Sequence, residues 1–124
     1  MKKLITLLLA ALCCFAYIAR SQAPTINIEG TAASIVSKLD KSLFLTDRQK
    51  PRMLTIVTGY LQQKNNIRPL QLSNEKAYHT KLNSMQNGLH TRLKPLLTLT
   101  QYTEFLALKP KAFDETNVLS QLYY

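Results

Sequence analysis

The pentapeptide Leu45-Thr46-Asp47-Arg48-Gln49 recurs as Leu97-Thr98-Leu99-Thr100-Gln101, and this repeated L-T-x-x-Q constrains the fold more than any other feature. Thr at an N-cap accepts from the backbone N–H three residues on, while Gln at that third position reaches back to the cap's own N–H. Each copy therefore reads as the start of a helix. The likeness continues beyond the glutamines, where Met53-Leu54 and Phe105-Leu106 occupy matching positions. A leucine before each cap suits a hydrophobic staple, for which Tyr102 is a good partner and Lys50 a poor one. Pro51 further weakens the first copy, because it removes the bond to the Asp47 carbonyl and crowds that group. The expected result is a kinked first turn, or a loose turn with the regular helix beginning near Lys50.

Lys2 and Lys3 precede an uncharged, apolar stretch from Leu4 to Ile18, which reads as a secretory signal. It is short for a membrane span, which needs about 20 residues. Ala19 and Ser21 suit cleavage before Gln22, with an uncleaved anchor as the alternative. Lipidation at Cys13 or Cys14 is disfavoured, since Leu12 and Cys13 precede them and both lie inside the apolar run. Cleavage removes both cysteines, and with them any thiol, disulfide or Cys metal ligand. It leaves about 103 of the 124 residues, enough for one small core, and a charge of about +6. The reading is a periplasmic protein without stable membrane insertion after cleavage. Outside the cytoplasm that charge suits anionic surfaces or acidic, partly unfolded polypeptides, and no nucleic-acid partner is expected.

Residues 22–30 carry Pro24 and Gly30 without a helical period and read as a flexible leader. Thr31 caps an expected first helix to about Ser42, with Ile35, Val36, Leu39 and Leu43 on one face. A second helix is expected from Asp47 to about Ile67, along Met53, Val57, Tyr60, Lys64 and Ile67, and Arg68-Pro69 ends it. Ser73 caps a third from Asn74 to about Lys94, along Tyr78, Leu82, Met85, Leu89 and Leu93. Pro95 interrupts before a short fourth from Leu99 to Leu108. Residues 110–124 form a tail, either loose or strapped over a groove. No stretch alternates as a strand does, so the chain reads as all-α. The two long helices and short connector predict an antiparallel hairpin flanked by two short helices in a 31–109 domain. Such a hairpin leaves apolar surface over, for a dimer contact or a binding face.

Catalytic constellations are missing from this pattern. The carboxylates show no paired spacing, and there is no phosphate-binding glycine loop, H-E-x-x-H or nucleophile elbow. No enzyme activity and no cofactor are expected. His79 and His90 lie eleven residues apart on one helix. That is about 16 Å at 1.5 Å per residue, too far to share a metal within one chain. Arg48 and Arg52 at one end of the second helix, and Lys64 and Arg68 at the other, are the candidate contacts for acidic, partly apolar chains.

A signal peptide, a small basic helical chain and two L-T-x-x-Q copies bracketing two long helices together resemble the Spy/CpxP family of periplasmic proteins. The resemblance covers about residues 31–108 and is carried by the two pentapeptides and the order short, long, long, short. It implies an antiparallel homodimer shaped as a curved cradle with a basic concave face. It also implies that Leu45, Thr46, Gln49, Leu97, Thr98 and Gln101 shape the cradle without touching clients. Family functions differ. Some members act as ATP-independent chaperones for unfolded envelope proteins, some restrain the periplasmic domain of an envelope-stress sensor kinase, and some bind zinc. The chain lacks the acidic or histidine-rich tails of the metal-binding members.

Overall fold

Six helices account for the regular structure of a computed structural model that describes residues 27–124. They are α1 (Ile28–Leu43), α2 (Gln49–Ile67), α3 (Leu70–Ser73), α4 (Glu75–Leu96), α5 (Leu99–Ala107) and α6 (Ser120–Tyr123). No strand occurs among the described residues, so the fold is all-α there. The expected signal segment, its cysteines and most of the leader lie outside the described residues.

The apolar stripes meet where their periods direct them. Ile35 and Leu39 of α1, Met53 and Val57 of α2, Leu93 of α4 and Phe105 of α5 are fully buried and share one core. Helix α2 packs against both α1 and α4, and α5 closes on α1 and α4. Burying such a side chain stabilises the fold by about 1.5–3 kcal/mol. Because the four helices contribute to one cluster, none of them carries a separate core.

Three boundaries differ from the sequence reading. Helix α1 begins at Ile28, not after Thr31, because the Asn27 side chain accepts from the Gly30 N–H at 2.9 Å and caps it. A Cβ at Gly30 would stand 2.6 Å from the Asn27 amide nitrogen, so a larger residue there would push the capping side chain aside. Helix α4 is capped by Asn74, whose Oδ1 accepts from the Ala77 N–H at 3.1 Å. Ser73 instead donates its hydroxyl back to the Pro69 carbonyl and closes the single turn α3. Pro69 starts that turn in helical conformation, as its fixed φ favours. Finally, Pro95 lies inside α4, which continues to Leu96. Its missing N–H releases only the carbonyl one turn back, at the exposed Thr91.

Both capping boxes close. Thr98 accepts from the Gln101 N–H at 3.2 Å and donates its own N–H to Gln101 Oε1 at 3.0 Å. Thr46 and Gln49 repeat these two bonds at 3.2 and 3.0 Å. Pro51 is accommodated by the loose-turn option, with Asp47 and Arg48 in a turn and the regular helix starting at Gln49. Lys50, unable to act as a staple, pairs with Asp40 at 3.4 Å, and the other Asp40 oxygen accepts from the Leu45 N–H. The matching residues beyond the boxes behave alike: Met53 and Phe105 are fully buried, whereas Leu54 and Leu106 are exposed.

The two boxes also bind each other. Gln49 Nε2 donates to Gln101 Oε1 at 2.8 Å, and Gln101 Nε2 donates to Gln49 Oε1 at 3.0 Å. The second proton of each amide goes to a helix end that the other motif follows. Gln49 donates to the Leu96 carbonyl at the end of α4, and Gln101 to the Leu43 carbonyl at the end of α1. Each glutamine thus uses both donors and both acceptors, starting its own helix and ending the one before its counterpart.

Two outcomes follow for chemical denaturation. Asn74→Ala should cost about 1 kcal/mol, the usual loss of an N-cap, while Ser73→Ala should cost only a few tenths. Gln49→Ala and Gln101→Ala should each cost about 1–2 kcal/mol, from part-buried polar groups left unpaired. Combined, they should fall short of additivity by about 1 kcal/mol or more, as contacting residues do.

Candidate functional site

The start of α1, the second half of α2, α3, the first half of α4 and the segment 109–124 line an open groove of about 1040 Å³. Its apolar lining includes Leu61 of α2, Tyr78 and Leu82 of α4, and Phe113. Leu61 and Tyr78 are buried, Leu82 is half-buried and Phe113 is half-exposed. Lys64, Arg68 and Lys109 give this lining its charge, against one acid, Glu115. The combination arises because the helical period that sets Tyr60 and Leu61 on the inner face of α2 puts Lys64 and Arg68 one and two turns further along it.

The four basic residues expected to contact partners are divided by the fold. Arg68 lines the groove and is exposed. Arg48 and Arg52 are exposed too, but lie outside the groove near the start of α2. From Arg52 to Arg68 the helix advances about 24 Å at 1.5 Å per residue, so one short segment does not touch both ends. Lys64 lines the groove without being free. Its ammonium donates to the Gln121 carbonyl at 3.0 Å and to the backbone oxygen of Tyr124. No Asp or Glu side chain pairs with it among the described residues. Burial, with help from the Arg68 charge, lowers its pKa from 10.5 to about 8.

Residues 110–124 form the strap, not the loose tail. Leu119, Ser120, Leu122 and Tyr123 are buried. Asp114 folds the approach: its carboxylate accepts from the Thr116 N–H and hydroxyl, which holds its pKa below the ordinary value, and its N–H donates to the Ser120 hydroxyl. Asn117 accepts from Lys38 of α1 at 2.9 Å, Gln86 of α4 donates to the Tyr123 carbonyl at 3.0 Å, and the Tyr123 hydroxyl donates to the Phe105 carbonyl. Lys109 stands 5.1 Å above the Tyr124 ring. Near the strap, the Tyr60 hydroxyl is buried, which raises its pKa. Gln86 lies close enough to temper that rise, but its amide is committed to Tyr123 and makes no well-formed hydrogen bond with Tyr60.

The two histidines are kept apart. His79 is exposed and faces Glu75 at 3.6 Å. His90 packs edge-on against Tyr102 and Phe105, with Nδ1 3.0 Å from the Tyr102 hydroxyl. Burial, then the charges of Lys94 and Lys109, lower its pKa. Among the described residues no group of three or more His, Cys, Asp or Glu side chains is placed to hold a metal ion. No described helix is long and apolar enough to cross a membrane.

Leu45, Thr46, Gln49, Leu97, Thr98 and Gln101 all lie outside the groove, and their exchange of hydrogen bonds is structural. Sequence reasoning missed Lys109 and Phe113, which follow Pro110 or flank it where no period exists to assign a face. Comparison with protein-family models, curated proteins and solved structures finds no match.

The Lys64 environment generates a pH dependence. Between pH about 8 and 10.5 the unfolded chain holds a proton on Lys64 that the folded chain has released, so stability rises with pH in that interval. Denaturation midpoints should therefore increase from about pH 7.5 to about pH 9.5, below the range in which tyrosines ionise. Lys64→Met should flatten this rise. An unchanged slope would show that the ammonium is not desolvated.

Proposed function

We propose that this protein is a periplasmic, ATP-independent chaperone-like protein that holds partly unfolded envelope proteins on a basic, partly apolar surface. In this reading α2 and α4 are the arms of a long antiparallel hairpin, and two copies pair as a cradle. The resemblance of the two L-T-x-x-Q boxes to those of the Spy/CpxP family supports the reading on the sequence side. On the structural side one observation carries it: the groove puts Leu61, Tyr78, Leu82 and Phe113 between Arg68, Lys109 and Lys64, with only Glu115 opposing them.

The chemistry suits weak, unselective capture. Positive charge draws in acidic segments over a Debye length of about 8–10 Å, and the apolar floor retains exposed side chains of an unfolded client. A client that buries its own apolar groups loses that attachment, so release needs no nucleotide. Long basic side chains also cover apolar surface with their methylene stems, which keeps the unoccupied groove wettable.

Aggregation of a chemically denatured model client, followed by light scattering, tests this reading. Suppression should appear at or below equimolar protein and weaken as salt is raised. Arg68→Glu combined with Lys109→Glu should weaken it several-fold, and by more than Arg48→Glu combined with Arg52→Glu. Folded protein that has no effect at several-fold excess would sink the proposal.

A further inference from the structure

We infer that the cleft between α2 and α4 is a receptor for a short apolar turn of polypeptide, and that residues 118–124 occupy it in cis as a displaceable stand-in. The inference rests on the polypeptide-binding reading above and names the class of segment bound. It is drawn from how the strap is held.

The strap offers side chains at helical spacing. Leu119, Leu122 and Tyr123 stand at i, i+3 and i+4 and are 2, 1 and 8 % exposed. The scaffold, in turn, grips main chain: Lys64 donates to the carbonyl oxygen of Gln121 and the backbone oxygen of Tyr124, and Gln86 to the carbonyl of Tyr123. A single helical turn always leaves its last carbonyls without internal partners. These donors therefore suit any turn with apolar groups at the same three positions, whatever stands between them. Lys64 is well fitted to this task, being half-buried with no Asp or Glu side chain paired with it among the described residues.

The occupant is built to leave. Helix α6 has four residues, far below the length at which a helix persists unaided. Between α5 and α6, residues 108–119 contain turns and bends but no helix, and one side-chain hydrogen bond, from Lys38 to Asn117, ties this segment to α1. Val118, Gln121, Tyr123 and Tyr124 also line the open groove. A client seated there thus meets the strap at its edge, and competes for the cleft beneath it.

Fluorescence anisotropy with a labelled peptide of residues 114–124 tests the inference on the intact protein. A full chain carrying Leu122→Ser and Tyr123→Ser should bind this peptide saturably, at least tenfold more tightly than the unaltered chain does. A peptide carrying the same two substitutions should not bind. Equal affinity of both chains, or no binding by a variant with native helical content, overturns the inference. So does loss of helical content in the variant, since the strap would then be an inseparable part of the core. Native-state hydrogen exchange on the unaltered protein gives an independent reading. The amides of Leu122, Tyr123 and Tyr124 should exchange at least tenfold faster than those of Val57 to Leu61, and equal protection overturns the inference. Both measurements are independent of aggregation suppression, so failure here is distinguishable from failure of the chaperone reading.

Discussion

The reciprocal amide pair of Gln49 and Gln101 is the interaction on which the arrangement of helices depends. Each side chain has two donors and two acceptors, and each finds a partner for all four. The bonds link four helix ends: the starts of α2 and α5 and the ends of α1 and α4. Helix termini leave unpaired N–H and C=O groups that must be satisfied when water is excluded. Two side chains meet several of those demands at one point, which locks the short helices onto the long ones. The quasi-equivalence extends to packing, because each box delivers one large apolar residue, Met53 or Phe105, into the common core.

From that junction α2 and α4 run toward the end of the molecule where the groove lies. The groove is thus separated from the two glutamines that join the helix ends, and its charge is carried by Arg68 and Lys109, side chains with little structural duty. Lys64 is the exception. It belongs to the stripe of α2 by position, yet its ammonium is spent on backbone oxygens of the strap. A cation in that setting is costly to bury, and its lowered pKa records the cost. The same group marks the place where scaffold, strap and groove meet.

Much of the fold was legible in the sequence because helical period and burial coincide in it. Ile35, Leu39, Met53, Val57, Leu89 and Leu93 were assigned to inner faces by spacing, and all are buried. Boundaries were less legible. Asn27 and Asn74 displaced Thr31 and Ser73 as caps, and nothing local distinguishes cap-forming residues one or four positions apart before the chain is folded. Pro95 seemed to interrupt α4, but a proline near a helix end frees only one exposed carbonyl. The candidate site was legible as composition, not as place: basic residues beside apolar ones were evident, whereas the division of Arg48 and Arg52 from Arg68 needed the helix in space.

By itself the sequence determined that the chain is helical, where its apolar stripes run, and that two boxes of the same chemistry start two helices. These are local properties, set by hydrogen-bond reach over three residues and by a period of 3.6. Only the tertiary structure decided that the boxes hold each other, that Lys64 serves the strap, and that residues 118–124 fill a cleft. Those contacts join residues 52 to 60 positions apart, and no local rule relates such partners. They exist because unpaired amides, carbonyls and apolar side chains left over by local structure must find one another once water is excluded.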